Sequence, residues 1–155
     1  MSFKQAWKQP LHREDVMPVL RSGIFMSISG GLIVGMLDMV FINYLQFTLT
    51  WLFLLITSHL IAKRIASSYR DYHILYSMIS IFFFIFAYYI MSVTLNVGLL
   101  FVNRIPVMPY LGALLNPWAY FMFLNPLDPF FFTVDNILQI VFFIIGIVYA
   151  YRFSK

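Results

Sequence analysis

The sequence contains no cysteine, which excludes disulfide bonds, thiolate catalysis and cysteine-based zinc or iron–sulfur sites. Charged residues are also scarce. They make up 10% of the 155 residues, whereas a soluble domain has about a quarter. The basic residues are few and lie at the ends of apolar runs, so a nucleic-acid partner is not expected.

Familiar catalytic patterns are missing as well. There is no HExxH, GxSxG or P-loop motif, and no pair of acids on one apolar helix. The segment Gly35-Met36-Leu37-Asp38 lacks the second glycine of the GxGD pattern of intramembrane aspartyl proteases. His59 and His73 are two histidines separated along the chain, which is a weak signal for a metal. We therefore expect no enzymatic activity, no cofactor and no metal.

What the chain does contain is apolar and aromatic. Hydrophobic residues make up 62% of the sequence and aromatic residues 20%, and the mean hydropathy is +0.86. A disordered chain would be poor in such residues. This composition predicts an all-α integral membrane protein that forms a single membrane domain over residues 1–155 and has the lipid bilayer as its main surroundings.

Four apolar runs predict four membrane spans, at about residues 22–42, 45–62, 74–101 and 134–151. About 20 helical residues rise roughly 30 Å, which is enough to cross the hydrocarbon core. The first two runs are nearly continuous, so we predict a tight hairpin near Asn43 and Tyr44, with Asn43 as the residue best suited to a left-handed turn. Together the spans predict a four-helix bundle.

Residues 105–133 differ from the rest because they hold five of the seven prolines together with many aromatic residues. Turn dipeptides such as Asn116-Pro117 and Asp128-Pro129 interrupt the apolar pattern. We predict an interfacial or re-entrant segment between spans three and four. A fifth span is the remaining alternative.

Basic residues predict the orientation. They occur in the N-terminal tail, in the loop at 63–70 and in the C-terminal tail, whereas the segment between spans three and four has only Arg104 against two acids. Because cytoplasmic loops carry the excess of lysine and arginine, both termini are predicted to be cytoplasmic. We expect the protein to reside in the plasma (inner) membrane.

Small residues recur at every fourth position of the first span, at Gly23, Ser27, Gly31 and Gly35. This small-xxx-small pattern predicts a helix-packing interface, because it lets two backbones approach closely. The partner helix is either another span of the same chain or a span of another subunit. The sequence leaves these two alternatives open.

Asp38 is the sharpest polar candidate, because an acid inside a span is costly and marks a functional site by default. It falls on the same helix face as the small stripe. The predicted topology brings other polar residues to its level, and together they form a candidate ion or polar site: Asp38, Tyr88, Ser92, Asn96, Arg104, Asp135, Asn136 and Gln139. The structural alternatives are an Asp38–Arg104 pair, contact with headgroups, or ordinary hydrogen bonds between helices.

These observations lead to a non-enzymatic accessory or scaffold subunit of a larger membrane complex, of transport or secretion type, as the first functional hypothesis. A small oligomeric transporter or channel, with Asp38 and the polar cluster lining the path, is the alternative. The subunit hypothesis predicts that Gly31→Leu breaks partner binding, and the channel hypothesis predicts that Asp38→Asn abolishes flux. An intramembrane enzyme would need a nucleophile or metal that the sequence does not offer.

Overall fold

The computed structural model describes residues 11–129 and 131–155, and over these residues it is all-helical, without strands. The predicted basic tail, with Lys4, Trp7 and Lys8, lies outside the described residues. Four long helices form the bundle: α1 (Arg13–Val40), α2 (Thr50–Ala66), α3 (Ile74–Val102) and α6 (Val134–Arg152). Between α3 and α6 the chain forms only short pieces: 3-10 turns at Met108–Tyr110 and Met122–Leu124, α4 (Leu111–Leu114) and α5 (Pro117–Tyr120).

Three of the described helices are long and apolar enough to cross a membrane. They are Arg13–Leu45, Ile74–Val102 and Val134–Arg152, with 33, 29 and 19 residues. These helices indicate a membrane protein. Helix α2 is shorter, with 17 residues, and its length of ~26 Å falls just under the ~30 Å hydrocarbon core. None of the described pieces of residues 105–133 is long enough to form a fifth span.

The chain reverses between α1 and α2 later than the sequence indicates, so the turn predicted at Asn43 and Tyr44 is wrong. After α1 the chain continues as a π-helical turn, Phe41–Leu45. The left-handed residue is Gln46, with a φ of 56°. The reason lies in the residues that follow, because Thr48 and the start of α2 are held by hydrogen bonds to the Asp38 side chain on α1.

Helices α1 and α3 pack along each other, and α2 packs along α6. The close approach of α2 and α6 is visible at Gly146, whose carbonyl accepts a hydrogen bond of 2.5 Å from the Ser58 hydroxyl. A Cβ at Gly146 would collide with the ring of Phe84, so the absence of a side chain at Gly146 lets Phe84 of α3 pack against α6. The centre of the bundle is an aromatic and aliphatic layer in which Leu54, Phe84 and Phe143 are at most 4% exposed.

The two ends of the bundle differ in chemistry. We call the end with Arg21, Arg64 and Arg70 the basic end, and the end with the α1–α2 turn and residues 105–133 the turn end. At the basic end, the Tyr69 hydroxyl donates to the Ser154 carbonyl over 2.6 Å. The Ser154 hydroxyl in turn donates to Ser77. Burial raises the pKa of Tyr69 to about 12, with smaller contributions from two neighbouring tyrosines. These bonds tie the C-terminus to the α2–α3 loop and to α3.

Candidate site at the turn end of the bundle

The small stripe of α1 faces α3 of the same chain. Gly23, Ser27, Gly31 and Gly35 are all buried. A Cβ on Gly31 would lie 2.9 Å from the Ala87 carbonyl oxygen. One on Gly35 would lie 2.6 Å from that of Met91. Since backbone atoms cannot move aside as a flexible side chain can, these glycines are needed for the close contact.

This geometry decides between the two partners that the sequence left open for the stripe. Its partner is a helix of the same chain, and no face of the stripe remains for another subunit. The packing interface is therefore intramolecular. Gly31→Leu would first separate α1 from α3, so a loss of partner binding in this variant would not identify the stripe as the partner contact.

Asp38 is completely buried, with 0% of its surface exposed, and its carboxylate meets the start of α2. One oxygen accepts from the Leu49 backbone N–H at 3.3 Å and from the Thr48 hydroxyl at 3.4 Å. The other accepts a hydrogen bond from the Thr50 hydroxyl. The two threonine hydroxyls also bond each other at 2.5 Å.

Asp38 accepts from the backbone N–H of the N-cap residue, as the glutamate of a capping box does, and it also holds the threonines on either side of that residue. The N-cap of α2 is Leu49, whose side chain has no acceptor, and the N–H of Thr50, the first helical residue, donates to the Thr48 hydroxyl at 3.2 Å. A carboxylate at this position is also favoured by the positive end of the helix dipole. The burial of Asp38 is thus explained by a structural role, which was one of the alternatives for it.

Arg104 does not pair with Asp38. It follows the end of α3, is exposed and has a positive φ of 57°. The carboxylate of Asp38 is engaged by the α1–α2 turn instead, and no ion pair joins the two among the described residues. The Asp38–Arg104 pair, one of the structural alternatives for Asp38, is therefore not formed, because the α1–α2 turn occupies the carboxylate.

Tyr88 and Gln139 connect α3 with α6. The amide of Gln139 donates to the Tyr88 hydroxyl at 2.6 Å, and this hydroxyl donates to the Tyr120 carbonyl at 3.3 Å. Ser92, one turn further along α3, is also buried. The Asn96 amide donates back to the Ser92 carbonyl on its own helix at 2.8 Å.

Asn136 holds residues 105–133 against α6. Its amide donates to the carbonyls of Phe123 and Phe131, at 3.1 and 2.9 Å. Backbone carbonyls of an irregular segment need such partners at membrane depth. Asn136 therefore positions this segment against α6.

A cavity of about 150 Å³ lies between the start of α2 and the start of α6 at this end. It is lined by Thr48, Thr50, Trp51, Asp135, Leu138 and Gln139. The structure thus brings Asp135 and Gln139 to the threonines that hold Asp38, with Tyr88 behind Gln139. Sequence reasoning missed the two threonines. The available signal was their position flanking Leu49, since Thr is a preferred residue at a helix start and Leu is not.

This arrangement offers hydroxyl, amide and carboxylate groups for hydrogen bonding a small polar or cationic species. No group of three or more His, Asp or Glu side chains is placed to hold a metal ion in the part of the chain that the structure describes. The ring of His59 packs against Phe153 at the basic end, 4.9 Å between centroids, and so is remote from Asp38. Comparisons with protein-family models, with curated proteins and with solved structures give no match for this chain.

Proposed function

We propose that the chain is a four-span protein of the plasma (inner) membrane, with both termini cytoplasmic, and that it serves as a non-enzymatic accessory or scaffold subunit of a larger membrane complex. In this arrangement helix α2 also crosses the membrane, in addition to the three longer helices. Its last turn carries Lys63 and Arg64, which extend its reach to the headgroups by snorkelling. Exposed Leu52, Ile56 and Leu60 give it an apolar outer face.

The closed centre of the bundle is the observation that carries this proposal. A conduit through one chain needs a continuous polar lining, whereas Leu54, Phe84 and Met91 fill the centre at 2% exposure or less. The polar residues at the turn end mostly bond within the chain, as Asp38 and Gln139 do. Such an interior serves a stable scaffold better than it serves transport.

The partner contact is best assigned to residues 105–133, because the small stripe is already occupied by α3. Several large apolar side chains of this segment are strongly exposed. Met108 is 80% exposed, Trp118 79% and Leu127 89%. Exposed apolar side chains mark sites of contact with proteins or with the membrane, and the enrichment of tryptophan and methionine in protein interfaces favours a protein here.

Purification in mild detergent from the native membrane, followed by native mass spectrometry, tests the proposal. We expect another chain to co-purify in fixed stoichiometry and to be lost in the Trp118→Ser/Leu127→Ser variant. The control is Met36→Ser, which changes an exposed residue on α1 (56%) and should leave the complex intact. A protein that purifies only as a monomer would contradict the proposal.

The alternative is a small oligomeric transporter or channel, and the polar cavity between α2 and α6 is the observation that favours it. Asp135 is the better residue for its test, because it is exposed and lines the cavity, whereas Asp38 also supports the fold. Flux through reconstituted vesicles that falls in Asp135→Asn, from a homo-oligomer of unchanged stability, would favour transport. A subunit predicts no flux in either protein.

A further inference from the structure

A groove opens at the basic end, where the start of α1 meets the end of α2. It has a volume of about 520 Å³ and is lined by Met17, Pro18, Arg21, Ser22, Phe25 and Arg64. The Ser68 hydroxyl bonds that of Ser22 at 2.8 Å, which fixes the end of α2 against α1. Arg21 and Arg64 therefore face the same groove from two different helices.

Neither guanidinium has an acidic partner within the described part of the chain. Asp15 is buried and accepts from the Arg70 backbone N–H, and Asp71 pairs with His12 at 3.2 Å. The remaining acid at this end, Glu14, lies in the first turn of α1 and outside the groove lining. Two unpaired guanidinium groups at one opening form a site for an anion, and their planar donor sets match a phosphate group.

An apolar trough continues from the same opening along α1. It has a volume of about 640 Å³, and its lining shares Met17, Arg21 and Phe25 with the groove. Beyond these it reaches Ile28 and Leu32. From Arg21 to Leu32 the helix rises ~16 Å, which is about the thickness of one leaflet of a ~30 Å hydrocarbon core. The trough is thus about as long as one acyl chain. Arg21 and Arg64 lie at the end of it where the headgroup of the same lipid would be.

We propose that this groove and trough bind one anionic phospholipid. The phosphate lies between Arg21 and Arg64, where the Ser22 hydroxyl can also donate to it, and an acyl chain lies along α1 over Phe25 and Ile28. The apolar trough favours a lipid over free phosphate, which would fill only the opening. Basic pockets between helices are a known mode of headgroup recognition. This inference goes beyond the accessory-subunit proposal and requires only that α1 and α2 lie in the membrane.

Native mass spectrometry of the purified full chain, titrated with phosphatidylglycerol or phosphatidylcholine, tests the inference. We expect one phosphatidylglycerol to bind more tightly than phosphatidylcholine. Each of Arg21→Gln and Arg64→Gln should weaken this binding about fivefold, since one basic residue near the headgroups contributes about 1 kcal/mol. The matched control is Lys63→Gln, which removes the same charge beside Arg64 but outside the groove.

The trough has its own test in Ile28→Asn, which should weaken phosphatidylglycerol binding while leaving both arginines in place. Excess inorganic phosphate should not displace the lipid. The proposal is overturned if Lys63→Gln weakens binding as much as Arg64→Gln, because that indicates diffuse attraction to the whole basic end. Equal binding of phosphatidylcholine, or displacement by phosphate, would overturn it as well. Circular dichroism of each variant verifies that the helices are retained.

Discussion

Replacing Asp38 by alanine should destabilise the bundle through the start of α2. The buried carboxylate accepts from the Leu49 N–H and from two threonine hydroxyls. Its removal leaves the Leu49 N–H without an acceptor, whereas the threonine hydroxyls can still bond each other. A half-buried N–H left without its acceptor predicts a loss of about 1–3 kcal/mol in the free energy of unfolding. Asp38→Asn keeps one acceptor oxygen, so we expect about 1 kcal/mol, the charge-assisted part of the bonds.

The assay is reversible unfolding in mixed micelles with increasing sodium dodecyl sulfate, followed by circular dichroism. The matched control is Asp135→Ala, which removes an exposed acid from the first turn of α6 at the same end of the bundle. This control should change stability by less than 1 kcal/mol, the range of an exposed charge near a helix dipole. The capping role would be refuted if Asp38→Ala were neutral or stabilising. It would also be refuted if Asp38→Asn destabilised the protein as much as Asp38→Ala does. In either case Asp38 would again be a candidate for an ion site.

Three further predictions follow from the same bundle. Gly35→Ala should destabilise the folded protein by about 1–3 kcal/mol, because the added methyl group overpacks against the Met91 backbone. Gly30→Ala should stabilise it by about 0.5–1 kcal/mol, because a Cβ at Gly30 meets nothing within 4 Å. Unfolding in sodium dodecyl sulfate compares the two variants. A double-mutant cycle of Tyr88→Phe and Gln139→Leu should give a coupling energy of about 0.6–1.7 kcal/mol, the range found between membrane helices, and a zero coupling contradicts the bond. Because burial raises the pKa of Tyr69 to about 12 from 10.0, its contribution to stability is complete below pH 10 and is lost as pH rises through about 12. Melting temperatures measured across this window should fall more in the wild-type protein than in Tyr69→Phe.

The helical class of the fold could be predicted from the sequence because apolar runs of spanning length have few other solutions in a bilayer. The helices also begin or end close to the predicted polar boundaries. Helix α3, for example, starts at Ile74 as predicted and ends at Val102, one residue beyond. The α1–α2 turn could not be placed in the same way. Its position depends on a hydrogen bond from Leu49 to Asp38, eleven residues earlier, and such a contact leaves no periodic signal in the sequence.

The candidate site shows the same division between pattern and contact. The spacing of Gly31 and Gly35 was sufficient to predict a close helix contact, because spacing alone decides which face of a helix carries small residues. It could not identify the partner, because that depends on how α3 folds back onto α1.

For the polar residues, the sequence could establish how far along each helix they lie, but not which neighbouring groups their side chains contact. Gln139 turns to Tyr88 and Asn136 turns to the carbonyls of the connecting segment, although the two are only one turn apart on α6. A polar cluster inferred from level alone therefore includes residues that serve the fold. In this chain Asp38 and Asn136 stabilise chain reversals, whereas Asp135 lines the cavity between α2 and α6, where it can contact another molecule.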